Sequence, residues 1–263
     1  MKILVLVKET PDTETKIKLS SDNKTIDEAG FKFIINPYDE FAIEEALKIK
    51  GTDESKEVVI CTFGKESGKE RIIKALAMGA DRAVLVKSDG LENLDSLAIA
   101  KILAAIVKAE GPSLVLAGKQ GIDDDNMHMP AMVAALLDWP HVNVVNKLEI
   151  TGEKMKVERA VEGGQVEVYD VKMPAVLGAD KALNTPRYAS LPGIMKAKKK
   201  PFDVKSPGDF GIDISQLNSS TQVRTLSYQY PAEKPQGKLF KGEDVEVMVD
   251  KVVKLLREEA KVI

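Results

Sequence analysis

Short apolar runs alternate with helical patterns through the first half of the chain. Lys2 to Val7 is almost wholly apolar, as a strand buried on both faces of a parallel sheet would be. Glu57 to Phe63, Arg82 to Val86 and Leu114 to Ala117 repeat that pattern. Between them lie three helices. Asn36-Pro37-Tyr38-Asp39 begins one, with Asn36 as cap, Pro37 at the first position and Asp39 in the first turn. Ala42, Ile43, Ala46 and Leu47 give it an apolar face, and Gly51 stops it. Ser67 to Met78 is the second, closed by Gly79. Asp95 caps the third, which runs to Ala109 and ends at Gly111-Pro112. Alternating strands and helices predict an α/β fold built on a parallel, doubly wound sheet.

Other segments are less regular. Glu9 to Thr15 reads as a polar loop, and Lys16 to Leu19 as one arm of a small hairpin with Thr25-Ile26 or with Lys32 to Ile35. Val142 to Val145 is extended. Leu148 to Val157 and Val166 to Val171 alternate charged and apolar residues around Gly152 and Gly163-Gly164, which predicts an antiparallel addition to the sheet. Ala175 to Leu177 is another short strand. From Ala182 onward proline and lysine dominate, and Pro201 to Gln236 carries many loop signals. Glu243 to Lys261 is again helical, with Val245, Met248, Val249, Val252, Val253 and Leu256 on one face. The expected organisation is an α/β domain over 1–200 and, over 201–263, an extended arm ending in a helix. An irregular segment that long is unusual inside a compact domain and reads as an arm lying on a partner; a loosely packed extension of the same domain is the alternative.

Composition narrows the function. With 44% hydrophobic and 30% charged residues the chain has ample material for a core. A net charge of −3 argues against a general nucleic-acid binder. One cysteine, Cys61, excludes an internal disulfide and a multi-cysteine metal site, and its place in an apolar run makes it a buried, inert thiol. No apolar run reaches membrane-spanning length, and the opening run is too short for a signal peptide, so a cytoplasmic location is expected. His128 and His141 are the only histidines, and neither pairs with a nucleophile at motif spacing. GxSxG and HExxH are absent. No catalytic constellation emerges.

The chemistry-bearing stretch is Leu114 to Pro140. An apolar strand breaks at Gly118, a polar loop follows, and Pro130 opens a helix. Strand, glycine loop and helix N-terminus together hold phosphate well, because free N–H groups and the positive helix end face the anion. Asp123-Asp124-Asp125 would repel phosphate. They are read either as caps of the next helix or as partners of ribose hydroxyls or other loop N–H groups.

GKQGIDDD followed by LLDWP resembles the nucleotide loop of the electron transfer flavoprotein beta subunit, AMP-binding type. Val157-Glu158-Arg159, Gly163-Gly164 and Pro174-Ala175-Val176 follow in the family's order, as do Asn184 to Pro192 and Ile194 to Lys200. The likeness runs from about Lys2 to Gly211. Tyr169 departs from an expected aliphatic residue, Gly178 from Thr, Ala or Cys, and Thr13 stands where some relatives have an aromatic flavin neighbour.

The resemblance implies a sheet of the adenine-nucleotide-binding type and an electron carrier without catalytic residues of its own. AMP would lie among Leu6, Asn36, Pro37, Tyr38, Asp39 and Phe63. The loop would close on it with Gly118, Lys119, Gln120, Gly121, Ile122, Asp123, Asp124, Asp125, Asn126, Met127 and Met129. FAD would be shared with, and held mainly by, an alpha subunit, with Tyr38 contributing to its wall. The segment from about 182 to 200 would dock dehydrogenases such as acyl-CoA dehydrogenase through Leu191, Pro192, Ile194, Met195 and Lys196, and electrons would leave to a quinone-linked acceptor. Some relatives bifurcate electrons with a second FAD in place of AMP, but the aspartate run and Leu137-Asp138-Trp139-Pro140 fit the AMP type better. A stand-alone nucleotide sensor on this fold is the reading from another class.

Overall fold

The computed structural model describes residues 1–91, 94–219, 221–234 and 236–263. Seven parallel strands form the centre of a nine-stranded sheet. They are β1 (Lys2–Leu6), β4 (Glu57–Gly64), β5 (Arg82–Lys87), β6 (Leu114–Gly118), β7 (His141–Thr151), β10 (Ala175–Ala179) and β11 (Phe202–Lys205). Two antiparallel strands, β8 (Lys154–Ala160) and β9 (Val166–Lys172), extend it beyond β7. The order across the sheet is β11-β5-β4-β1-β6-β10-β7-β8-β9.

The sheet is covered on both faces because successive strand residues point to opposite sides. Ile3 and Val5 face α1 (Pro37–Lys50) and α2 (Lys69–Met78), together with Ile43, Ile72 and Leu76. Leu4 and Leu6 face α3 (Ser96–Glu110) and α4 (Met129–Leu137), with Ile102, Ile106 and Val133. Each such side chain contributes about 1.5–3 kcal/mol when fully buried. Asp95 caps α3, accepting from the Ala98 N–H at 2.9 Å.

Several elements depart from the sequence reading. Glu9–Pro11, expected as loop, is a strand, β2, antiparallel to β3 (Phe33–Ile35); the Lys16–Leu19 hairpin reduces to one bridge between Leu19 and Ile26. Ala175 to Leu177 is a strand as expected, but it continues to Ala179 and is fully buried at the centre of the sheet. Leu191–Ala197 is a short helix, α5, capped by Ser190, and Phe202–Lys205 is the edge strand β11. Ile214–Ser219 forms α6, whose Leu217 is buried in the second core. The loop reading of 201–236 also takes in positions 220 and 235, which lie outside the described residues.

Beyond α6 the chain turns to the surface. The second oxygen of Asp95 accepts from the N–H groups of Gln222 and Val223, and the Tyr230 hydroxyl accepts from the Leu19 N–H. The last helix, α7 (Val245–Glu258), buries none of its residues, and Val245, Val247, Val249 and Val252 are exposed. Among the described residues, no helix is long and apolar enough to cross a membrane.

Candidate functional site

The chain runs from β1 outward through β4 and β5, then returns to β6 on the other side of β1. Such a reversal leaves a crevice off the carboxyl ends of the strands. A cleft lies there. Leu6, Ala117 and Phe63 supply strand ends, and Ser96, Ile99 and Leu103 line it from α3. The loop after β6 contributes Gly118, Gln120, Asp124, Asn126 and Met127, while Met129 and Pro130 bring the start of α4. The cleft encloses about 170 Å³ and opens to solvent.

The first turn of α1 fixes one side of the loop. Asp39 is buried and accepts from the Lys8 N–H at 2.7 Å, the Gly118 N–H at 2.9 Å and Asn36 Nδ2 at 3.0 Å. Burial pushes its carboxyl up to about 7, against those three donors. Asn36 occupies the N-cap position but makes no side-chain cap. Its Nδ2 donates to the Gln120 carbonyl at 2.9 Å, and its Oδ1 accepts from the Ile122 N–H at 3.2 Å. The helix start was correctly placed by the sequence, yet Asn36's side chain serves the distant loop because that turn faces it. A Cβ on Gly118 would lie 2.4 Å from Asp39 Oδ1 and 2.6 Å from Tyr38 Cβ, so glycine lets loop and helix meet. Tyr38 lies beside this contact, its ring 4.9 Å from Lys119 Nζ. Lys119 also pairs with Asp180 at 2.9 Å.

The aspartates do not cap α4, whose N-cap residue is His128. Asp123 and Asp124 instead hold Lys8 Nζ at 2.8 and 3.2 Å, and Asp124 also accepts from the Asn126 N–H. Burial disfavours the Lys8 charge, but the two carboxylates overcome it and raise its pKa. Asp125 accepts from the Gln120 side chain. This knot neutralises part of the negative charge at the cleft.

Not every loop N–H faces the cleft. Those of Gly118, Lys119, Ile122, Asp125 and Asn126 bond to Asp39, Ala179, Asn36, Gly121 and Asp124. The N–H groups of Gln120, Gly121 and Asp123 have no partner among the described residues, and the first turn of α4 adds donors that no helix satisfies internally.

Of the anticipated nucleotide contacts, Leu6, Asp39, Phe63, Gly118, Gln120, Asp124, Asn126, Met127 and Met129 line the cleft. Asn36, Lys119, Ile122, Asp123 and Asp125 stand behind it as supports. Pro37, Tyr38 and Gly121 are not on its wall. The sequence reading passed over Lys8, Ser96 and His128, which are. Ser96 had a readable signal: it opens the helix capped by Asp95.

The other anticipated surface is displayed. Leu191 is 80% exposed and Met195 73%, with Ile194 less so. Leu191 starts α5, the short helix within the 182–200 segment. Lys200 is partly buried, and its Nζ donates to the carbonyls of Leu76 and Ala80 at the end of α2. Cys61 is fully buried, and burial, then the nearby Glu110, pushes its thiol up to about 12, which leaves it unreactive.

A reversal crevice lined by a lysine and by the first turns of α1, α3 and α4 places the chain among doubly wound α/β proteins with a cleft at the switch in strand order. Comparison with known proteins is more specific. The pattern of the electron transfer flavoprotein domain matches residues 23–209. An electron transfer flavoprotein subunit beta from Bradyrhizobium diazoefficiens is 41% identical over 252 residues, covering 96% of this chain and 97% of the relative. The human subunit beta is 39% identical over 259 residues, covering 98% of each. The mitochondrial one of Oryza sativa subsp. japonica is 39% identical over 265 aligned positions, covering 100% of each. The chain belongs to the electron transfer flavoprotein family, on its beta-subunit branch.

Proposed function

We propose that this chain carries electrons as the beta half of a cytoplasmic heterodimer, between dehydrogenases such as acyl-CoA dehydrogenase and a downstream quinone-linked acceptor. FAD, held mainly by the alpha subunit, supplies the redox chemistry when bound. This chain contributes part of the flavin's surroundings, Tyr38 among them, and binds AMP as a structural ligand in its own cleft. The observation that carries the AMP reading is the cleft itself. Leu6, Phe63, Ile99 and Leu103 offer an apolar bed for a base. Lys8, the amide of Gln120 and the α4 N-terminus suit a single phosphate. Asn36 and Asp39 hold the loop that presents that amide.

The division of labour along the chain supports the heterodimer. The segment through Leu217 packs on the chain's own sheet, whereas α7 shows an apolar face that nothing in the described chain covers. We place the partner-binding arm after α6 and the dehydrogenase-docking surface at 182–200. AMP bound only by the folded state adds about 4 kcal/mol of stability at a thousandfold excess over Kd. The test is to purify the chain with its partner subunit and identify the released nucleotides by chromatography. One FAD and one AMP per heterodimer are expected. Two FAD and no AMP overturn the AMP reading in favour of a bifurcating carrier, and a stable, flavin-free homodimer overturns the carrier reading.

A further inference from the structure

Strand β7 carries a bulge where it passes β10. His141 and Val142 pair with Val176 and Leu177, and Val145 with Ala179, so Asn143 and Val144 together oppose Gly178 alone. Val144 takes φ +61°, a left-handed conformation that β-branched residues seldom adopt. Bulges are rare between parallel strands, and they re-aim side chains next to functional sites.

This bulge lays Asn143 onto β10. A Cβ on Gly178 would lie 1.7 Å from Asn143 Oδ1 and 2.8 Å from its Cγ, so no other residue at 178 leaves that side chain in place. From this seat Asn143 Nδ2 donates to two carbonyls, Lys119 at 3.2 Å and Met127 at 3.2 Å. Those carbonyls stand at the two ends of the loop that closes the cleft. They also settle which end of the amide is nitrogen, since the flipped amide would set oxygen against two acceptors. Asn143 is 8% exposed, and its Oδ1 has no hydrogen-bond partner. An unpaired buried acceptor and a strained backbone are both unfavourable. Here they coincide at the one amide that ties the loop's ends together.

We infer that Asn143 is a positioning residue, a clasp that pre-shapes the 119–127 loop for its nucleotide, and that Gly178 exists in this chain to make room for it. The nucleotide half of this inference rests on the proposed function; the clasp itself does not.

The test compares wild type, Asn143→Ala, Asn143→Asp, Gly178→Ala and the Asn143→Ala/Gly178→Ala double variant, each prepared as the heterodimer. Amide hydrogen exchange over 119–127 and AMP affinity by calorimetry are measured on each. Asn143→Asp keeps the shape but offers two carbonyls an acceptor, so it should fail as Asn143→Ala does, with faster exchange across the loop and roughly tenfold weaker AMP binding, about 1.4 kcal/mol. Gly178→Ala should match them. The double variant should be no worse than Asn143→Ala, because the added methyl acts only by displacing Asn143. Wild-type exchange and affinity in both Asn143 variants would overturn the clasp, and so would a Gly178→Ala loss that adds in full to that of Asn143→Ala. Should Gly178→Ala not assemble, the Asn143→Asp exchange pattern decides alone. If wild type binds no AMP, the nucleotide reading fails while loop exchange still tests the clasp.

Discussion

Arg187 grips Glu44 with its guanidinium fork, Nε 2.7 Å from Oε2 and Nη2 2.9 Å from Oε1, and its backbone N–H donates to Oε2 at 3.1 Å. Glu44 is buried on α1, and Arg187 sits four positions before Leu191, so this pair fixes where the 182–200 segment leaves the body. Arg187→Ala should cost roughly 1–3 kcal/mol, less than for a fully buried pair because Arg187 is half exposed. Burial alone would raise the Glu44 pKa, but Arg187 holds it below the ordinary 4.5. A lowered folded value means the contribution is complete above about pH 4.5 and is lost as pH falls through the folded value. Thermal melts between about pH 3 and pH 7 should therefore show wild type and Arg187→Ala converging at the acid end. Parallel curves would show that the pair does not titrate with the fold.

Leu191→Ala should weaken electron transfer from a dehydrogenase by roughly ten- to a hundredfold, the equivalent of about 1.4–2.8 kcal/mol of docking energy. FAD content and melting temperature should stay as in wild type, because the side chain is exposed at the start of α5. Added salt should slow association of both proteins, since Lys196, Lys198 and Lys199 remain. Unchanged transfer from every dehydrogenase tested would remove Leu191 as an anchor.

Two loop glycines should separate fold from ligand. A methyl at Gly118 meets the Tyr38 backbone at 2.7 Å, so Gly118→Ala should cost about 1–3 kcal/mol of stability. At Gly121 the added Cβ meets only the side-chain ends of Asp123, Lys8 and Asp124. Gly121→Ala should leave the protein without added AMP as stable as wild type, and diminish the rise in melting temperature that AMP produces. Equal stabilisation of Gly121→Ala and wild type by AMP would place the phosphate elsewhere.

Val249→Asp puts a charge in the exposed apolar face of α7. Burying a valine there contributes up to about 1.5–3 kcal/mol, so heterodimer affinity should fall at least tenfold while the isolated chain's melting temperature holds. Sedimentation of the mixed subunits reads this directly. An unaltered heterodimer would mean that α7 is not covered by the partner.

Legibility in the sequence followed burial. The central strands were readable because both faces are packed, which makes each a continuous apolar run, as in Ile3 to Leu6. The edge strand β11 was not, since Phe202–Lys205 pairs on one side only and alternates with charge. Proline and glycine in Leu191–Ala197 read as loop. In the fold Pro192 sits in the first turn, where it is tolerated, and a Cβ at Gly193 would lie 2.5 Å from the Ala77 carbonyl. At the site, position was legible and partnership was not. Asn36 marks a helix start in any chain, but its bonds to Gln120 and Ile122 span more than eighty residues. Lys8 gave no local sign that it would meet Asp123.

The place of β10 in the sheet sets a timetable. Ala175 pairs with Leu114, and the β7–β8–β9 meander is synthesised in between, so the strand that joins the two halves is made after both. A chain emerging from the ribosome can assemble β1, β4, β5 and β6 early, with Asn36 and Asp39 holding one side of the loop after β6, but the Lys119 N–H waits for the Ala179 carbonyl. Pairings this distant in sequence close slowly and leave strand edges open meanwhile. The two halves of the sheet therefore join late, and until β10 enters, β6 and β7 each carry an open edge.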